Sequence, residues 1–252
     1  MRSLSFNLAL LLVLAGSPAC VRRPNTTAYG PWPPADWLTV ARSPDAALSE
    51  WTRQEASRLQ QALAPLTGPA ADRAPVVRFH LYARPDALRA DFPELNWEVD
   101  ETAGTDWQRA AAWVVLTDDA AENRRRLRHE IVHAWLLRTV GVSTEVPLWL
   151  QEGVPAVYEA GVDERGRPLS HTARRRHLQA LLRAGDGIDP AAFLRRPAST
   201  LRSSDDYAVA WGVVYALVCG LESKAGLPES LLRECLRLVR LGRSDLVFSE
   251  VE

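Results

Sequence analysis

The chain has 252 residues, enough for one domain with a sizeable core and a small extension. Its 47% apolar and 24% charged residues are an ordinary globular balance. A net charge of -1, with no basic stripe interleaved with aromatics, argues against nucleic acid as a partner.

The first nineteen residues read as a secretory signal rather than as fold. Met1-Arg2 carries positive charge, Phe6 to Ala15 is apolar but too short to span a bilayer as a mature helix, and Gly16-Ser17-Pro18-Ala19 supplies small residues before Cys20. Cleavage ahead of Cys20 would leave an N-terminal cysteine, as in a bacterial lipoprotein, so Cys20 is a candidate lipid anchor to a membrane. Ser17 stands where such signals usually carry leucine, and Ser17 with Ala19 equally suits an ordinary signal peptidase. The expected location is the periplasm or cell envelope. Residues 20–42 hold prolines at 24, 31, 33 and 34 and read as an extended tether, which leaves 43–252 as the folded domain.

Ser43-Pro44 is expected to open a helix, with Ser43 as N-cap and Pro44 in the first helical position. Leu48, Trp51, Ala56, Leu59, Leu63 and Leu66 give it an apolar face, and Gly68-Pro69 ends it. Val76 to Tyr82 is rich in β-branched and aromatic residues and predicts a strand. Arg84 to Phe92 predicts a short helix or turn, and Ala110 to Thr117 a second strand. Asp118-Asp119 caps a helix from about Ala121 to Thr139, with Gly141 as its stop. The remainder reads as helical: Pro147 to Glu159, Arg174 to Ala184 before Gly185, a turn at Pro190 to Leu194, Tyr207 to Leu221 and Pro228 to Leu241. Strands come early and helices late, an α+β pattern. Nine tryptophans are many, and Trp113, Trp135 and Trp149 are expected in the core. Cys219 and Cys235 sit on consecutive predicted helices. Export permits a disulfide between them, and two buried thiols are equally open.

His129-Glu130-Ile131-Val132-His133 is a His-Glu-x-x-His motif. On a helix, positions i and i+4 lie on one face, so both imidazoles can ligate one Zn²⁺. Glu130 beside the first ligand is in the general-base position. Leu127, Ile131, Ala134 and Leu137 form the apolar stripe of the same helix. Catalytic zinc takes three protein ligands and keeps one position open. Glu152, nineteen residues after His133 in Trp149-Leu150-Gln151-Glu152-Gly153, completes a His-His-Glu set.

These residues resemble the gluzincin metallopeptidases, and more narrowly the peptidase MA-like bacterial domains distantly related to thermolysin and aminopeptidase N. The resemblance covers roughly Ala110 to Glu159 and, more loosely, Tyr207 to Leu221. It implies a zincin-like fold: a small N-terminal sheet with an edge strand, a zinc-binding helix pair and a mostly helical C-terminal part. The edge strand that pairs with substrate is expected at Ala111 to Thr117. The resemblance also implies a donor to the oxyanion from a downstream helix, with Tyr207 first and His171 and His177 as alternatives. The chain departs from the family twice. Pro155 removes a helical hydrogen bond to Gln151 and is expected to kink the helix carrying Glu152. Ala156 stands where thermolysin-like enzymes place an acid to orient a histidine, and Glu159, two turns beyond Glu152, is the candidate replacement.

The implied activity is hydrolysis of a peptide or protein substrate, with Zn²⁺ as cofactor and Glu130 as base. A catalytically weak or inactive zinc-binding scaffold on the same fold is the alternative, favoured by Pro155 and the missing acid. A third reading keeps the chemistry but directs it at a cell-wall peptide. Oligomeric state is not legible.

Overall fold

A computed structural model describes residues 35–67, 74–93, 102–141, 146–184, 193–194, 196, 203–220 and 228–243. Four strands form one sheet: β1 (Leu38–Arg42), β2 (Val77–Tyr82), β3 (Ala103–Asp106) and β4 (Ala111–Val115), in the spatial order β1-β2-β4-β3. β1 pairs with β2 and β2 with β4 in parallel, whereas β3 runs antiparallel to β4. Parallel neighbours need a crossover, and helix α1 (Ala46–Thr67) supplies the one between β1 and β2. A short helix α2 (Pro85–Asp91) follows β2. Then come α3 (Ala120–Val140), α4 (Leu148–Tyr158), α5 (Thr172–Ala184), α6 (Ser204–Tyr215), which continues as a π-helical turn over Ala216–Gly220, and α7 (Pro228–Arg240). The fold is mixed α+β with a small sheet and a predominance of helix.

β4 explains its own sequence. All five of its residues are buried, because both faces of the strand are covered. Ala112 and Val114 face the main core with Phe79 and Leu81 of β2, Leu59 and Leu63 of α1, and Leu127 and Ile131 of α3. Ala111, Trp113 and Val115 face a smaller cluster with Tyr82, Leu88 and Phe92. The alternation is that of a strand, since successive side chains point to opposite faces. Trp113, Trp135 and Trp149 are all buried, as expected.

The expected edge strand is corrected. Ala111–Val115 lies inside the sheet, between β2 and β3, and the outer strands among those described are β1 and, next to Ala111–Val115, β3. Ala-Gly-Thr-Asp has little intrinsic strand preference, and it is strand because it pairs with β4. The expected tether also ends earlier than residue 42, since Leu38–Arg42 is β1 and Trp37 and Leu38 are buried. The helix start moves as well. Asp45, not Ser43, caps α1, its Oδ1 accepting from the N–H groups of Ala47 at 2.8 Å and Leu48 at 3.3 Å. The Ser43 hydroxyl is engaged one step earlier, accepting from the Asp45 N–H at 3.1 Å.

The Asp119 cap and the Gly141 stop of α3 match the sequence, whereas α6 starts three residues before the expected Tyr207. Asp119 Oδ1 accepts from Ala121 N–H at 2.8 Å and Glu122 N–H at 3.1 Å, and Gly141 closes α3 at φ 94°. Ser203 and Asp206 form a capping box on α6. α4 runs through Pro155 without a break from Leu148 to Tyr158. The signal and most of the tether, the turn at Pro190 to Ala192, and the Cys219 side chain lie outside the described residues, and so does any pairing of Cys219 with Cys235. Cys235 itself is buried. No helix among the described residues is long and apolar enough to cross a membrane.

Candidate metal centre and catalytic cleft

Three helices bring the chemistry together. α3 presents His129 and His133 from one face, one turn apart, with Nε2 to Nε2 at 3.1 Å. α4 packs against α3 and turns Glu152 toward them, its Oε2 at 3.4 Å from His129 Nε2 and 3.5 Å from His133 Nε2. A tetrahedral ion with bonds of about 2.0–2.1 Å holds its ligand atoms about 3.3–3.4 Å apart. The triangle of 3.1, 3.4 and 3.5 Å therefore has the size of one face of a zinc coordination sphere. Two nitrogens and one carboxylate oxygen are also donors that zinc accepts. Glu130 lies within 4.8 Å of the same imidazoles.

α4 reaches this position by a close helix crossing. A Cβ on Gly153 would meet Val214 Cγ2 at 2.6 Å and the Ala210 carbonyl oxygen at 2.7 Å. The second contact is to backbone, so α6 would have to withdraw. Gly153→Ala is expected to cost about 1–3 kcal/mol in urea unfolding through overpacking, and to lower metal occupancy because Glu152 is the adjacent residue. Unchanged stability would show that the crossing is soft.

Glu159, the candidate replacement for an acid at Ala156, reaches His129. Its side chain is fully buried at the end of α4, and its Oε2 lies 3.0 Å from His129 Nδ1. Three further groups hold it: Arg174 Nε at 2.6 Å, His171 Nε2 at 2.9 Å and Arg125 at 3.2 Å. Seven residues after Glu152 is two helical turns, so both carboxylates leave α4 toward His129. With Nδ1 engaged by Glu159, Nε2 is the His129 nitrogen turned toward His133 and Glu152. His133 differs. Its Nδ1 is buried and has no hydrogen-bond partner among the described residues.

The electrostatics of the set favour a cation. Burial disfavours charge on His129, but hydrogen bonds to Glu152 and Glu159 and the charge of Glu130 outweigh it and push its pKa up to about 10. Glu152 is held well below the usual carboxylate range: burial opposes this, and the two histidines overcome it. Glu159 is held down in the same way, against burial, by His129, His171 and Arg174.

The donors open onto a cleft of about 160 Å³, walled by Ala103, Gly104 and Thr105 of β3, by Trp107, by Gln151 of α4 and by Tyr207. Tyr207 sits in the first turn of α6, with its ring under the Arg174 guanidinium at 5.7 Å. Burial and the carboxylates of Glu152 and Glu130 push its phenol pKa up, so it stays protonated and able to donate. The other two candidate donors are elsewhere. His171 is bound to Glu159, and His177 pairs with Asp205 at 2.6 Å on the exposed side of α5.

Glu130 is 5% exposed, and its Oε2 accepts a hydrogen bond from Thr105 Oγ1 at 2.7 Å. Sequence reading missed Thr105, Arg174 and Arg125. No local signal marks them, because each partner is 15 to 34 residues away along the chain. Comparison with protein-family models and with curated proteins finds no match for this chain. The site therefore rests on its own geometry.

Proposed function

We propose that this chain is an exported zinc-dependent peptidase of the gluzincin type, with His129, His133 and Glu152 as ligands. The observation that carries the reading is the donor triangle, sized for a tetrahedral ion, with a carboxylate that is not part of it, Glu130, beside it at the cleft. A bound zinc ion supplies a Lewis acid for the scissile carbonyl and lowers the pKa of a coordinated water toward about 7. Glu130 takes a proton from the attacking water and delivers it to the leaving amine. Tyr207, protonated and facing the cleft, donates a hydrogen bond to the developing oxyanion.

The substrate backbone is met by β3. Val115 N–H donates to the Thr102 carbonyl at 2.6 Å, which sets the phase of the antiparallel ladder. Gly104 and Asp106 then exchange bonds with β4, while the N–H and C=O groups of Ala103 and Thr105 point to the outer edge. An extended peptide adding to that edge would lie across the donors.

Two features favour the peptidase reading over the alternative of a catalytically weak zinc-binding scaffold. Glu159 stands against His129 in place of the missing acid, and α4 continues through Pro155. The N-terminal residues support export, and Cys20 supports lipid anchoring.

The test uses the purified mature protein and a complex peptide mixture. About one zinc per chain is expected, together with cleavage products that vanish on chelation and return with zinc. A full zinc complement with no cleavage of any peptide would sink the peptidase reading and leave the scaffold.

A further inference from the structure

We infer that Thr105 is a positioning residue for the general base, linking the strand that would receive the substrate to the carboxylate that would move the proton. The inference rests on the peptidase reading and goes beyond its ligand set. Thr105 Oγ1 donates to Glu130 Oε2 at 2.7 Å, the short range of a hydroxyl bonded to a carboxylate. Thr105 and Glu130 are 25 residues apart and lie on different elements, β3 and α3, so the bond is tertiary rather than an accident of local geometry. Both residues line the same cleft.

The ladder phase gives this bond a second meaning. Thr105 pairs with Ala112 as a non-hydrogen-bonded pair, so its backbone N–H and C=O face outward while its side chain faces α3. One residue thus carries two contacts: backbone groups available to an added peptide strand, and a hydroxyl on the base. A peptide paired with the edge would restrain the backbone from which the Thr105 hydroxyl projects, while its bond to Glu130 holds the side-chain torsion. With Oε2 of Glu130 engaged, the other carboxylate oxygen is left to accept the proton. The hydroxyl neither gives nor takes a proton in the reaction; it donates the same hydrogen bond throughout.

The experiment compares zinc-loaded wild type, Thr105→Val and Thr105→Ser on a peptide that the wild type cleaves. Valine keeps the shape and removes the donor, whereas serine keeps the hydroxyl and removes a methyl group. Thr105→Val is expected to lower kcat about tenfold or more, the scale of a misplaced reacting group, with KM within about twofold and zinc affinity unchanged. Thr105→Ser should recover kcat to within about threefold of wild type. A valine variant with wild-type kcat would overturn the inference alone, and so would a serine variant as slow as valine, because packing would then be the cause. A fall in zinc affinity or in thermal midpoint matching the loss of rate would overturn it in favour of a purely structural role. Failure of the wild type to cleave any peptide would overturn both this inference and the reading beneath it.

Discussion

Glu130→Gln is expected to lower kcat/KM about 10³-fold while the protein keeps about one zinc per chain, because a positioned general base contributes on the order of 10²–10⁴. The substitution is isosteric. Its amide oxygen can still accept from Thr105, so the contact between β3 and α3 survives. What disappears is the ability to take a proton. His129, His133 and Glu152 keep their donor atoms 3.1 to 3.5 Å apart in the variant, which predicts that zinc stays. Zinc quantified by elemental mass spectrometry and initial rates on the same preparation decide the matter. Loss of zinc would make Glu130 a ligand, and an unchanged rate would remove it from the chemistry.

The second large effect is on the metal itself, and it separates a ligand from its support. His133→Ala removes one corner of the donor triangle and should abolish stoichiometric zinc; equal zinc in variant and wild type would sink the metal centre. Glu159→Gln leaves all three donors in place but weakens the hold on His129, and partners of this kind are worth about 10–100-fold in metal affinity. It also strips the charge from a fully buried carboxylate surrounded by Arg125, Arg174, His171 and His129. Breaking a buried ionic cluster costs about 3–5 kcal/mol, so metal-free unfolding in urea must be measured beside zinc competition. Lower stability with unchanged zinc affinity would assign Glu159 to folding alone.

The elements that sequence made legible are those whose pattern is local. α3 is readable from its apolar stripe, its Asp119 cap and its Gly141 stop, and the motif inside it places two imidazoles on one face without any knowledge of the rest. β2 and β4 are readable because β-branched and aromatic residues cluster there. β3 is not: Ala103, Gly104, Thr105 and Asp106 have no strand signature, and their conformation is imposed by β4. The same limit applies to the support of the site. Glu159 was visible as an acid at the right helical spacing, but its grip on His129 depends on Arg174, His171 and Arg125 converging from two other elements and the loop before α5. The start of α1 was displaced because Ser43 and Asp45 are both good caps, and only the folded chain shows which oxygen meets the free N–H groups.

Gly104 faces Trp113 across the ladder, and the indole lies where a side chain would begin, 2.8 Å from the position of a Cβ. That fit works like a key in a lock. Sliding β3 by one residue would bring Thr105 over the indole and turn its hydroxyl to the far side of the sheet. The alignment of the outer strand, and with it the address of the hydroxyl on Glu130, is thus guarded by a residue that has no side chain and takes part in no chemistry.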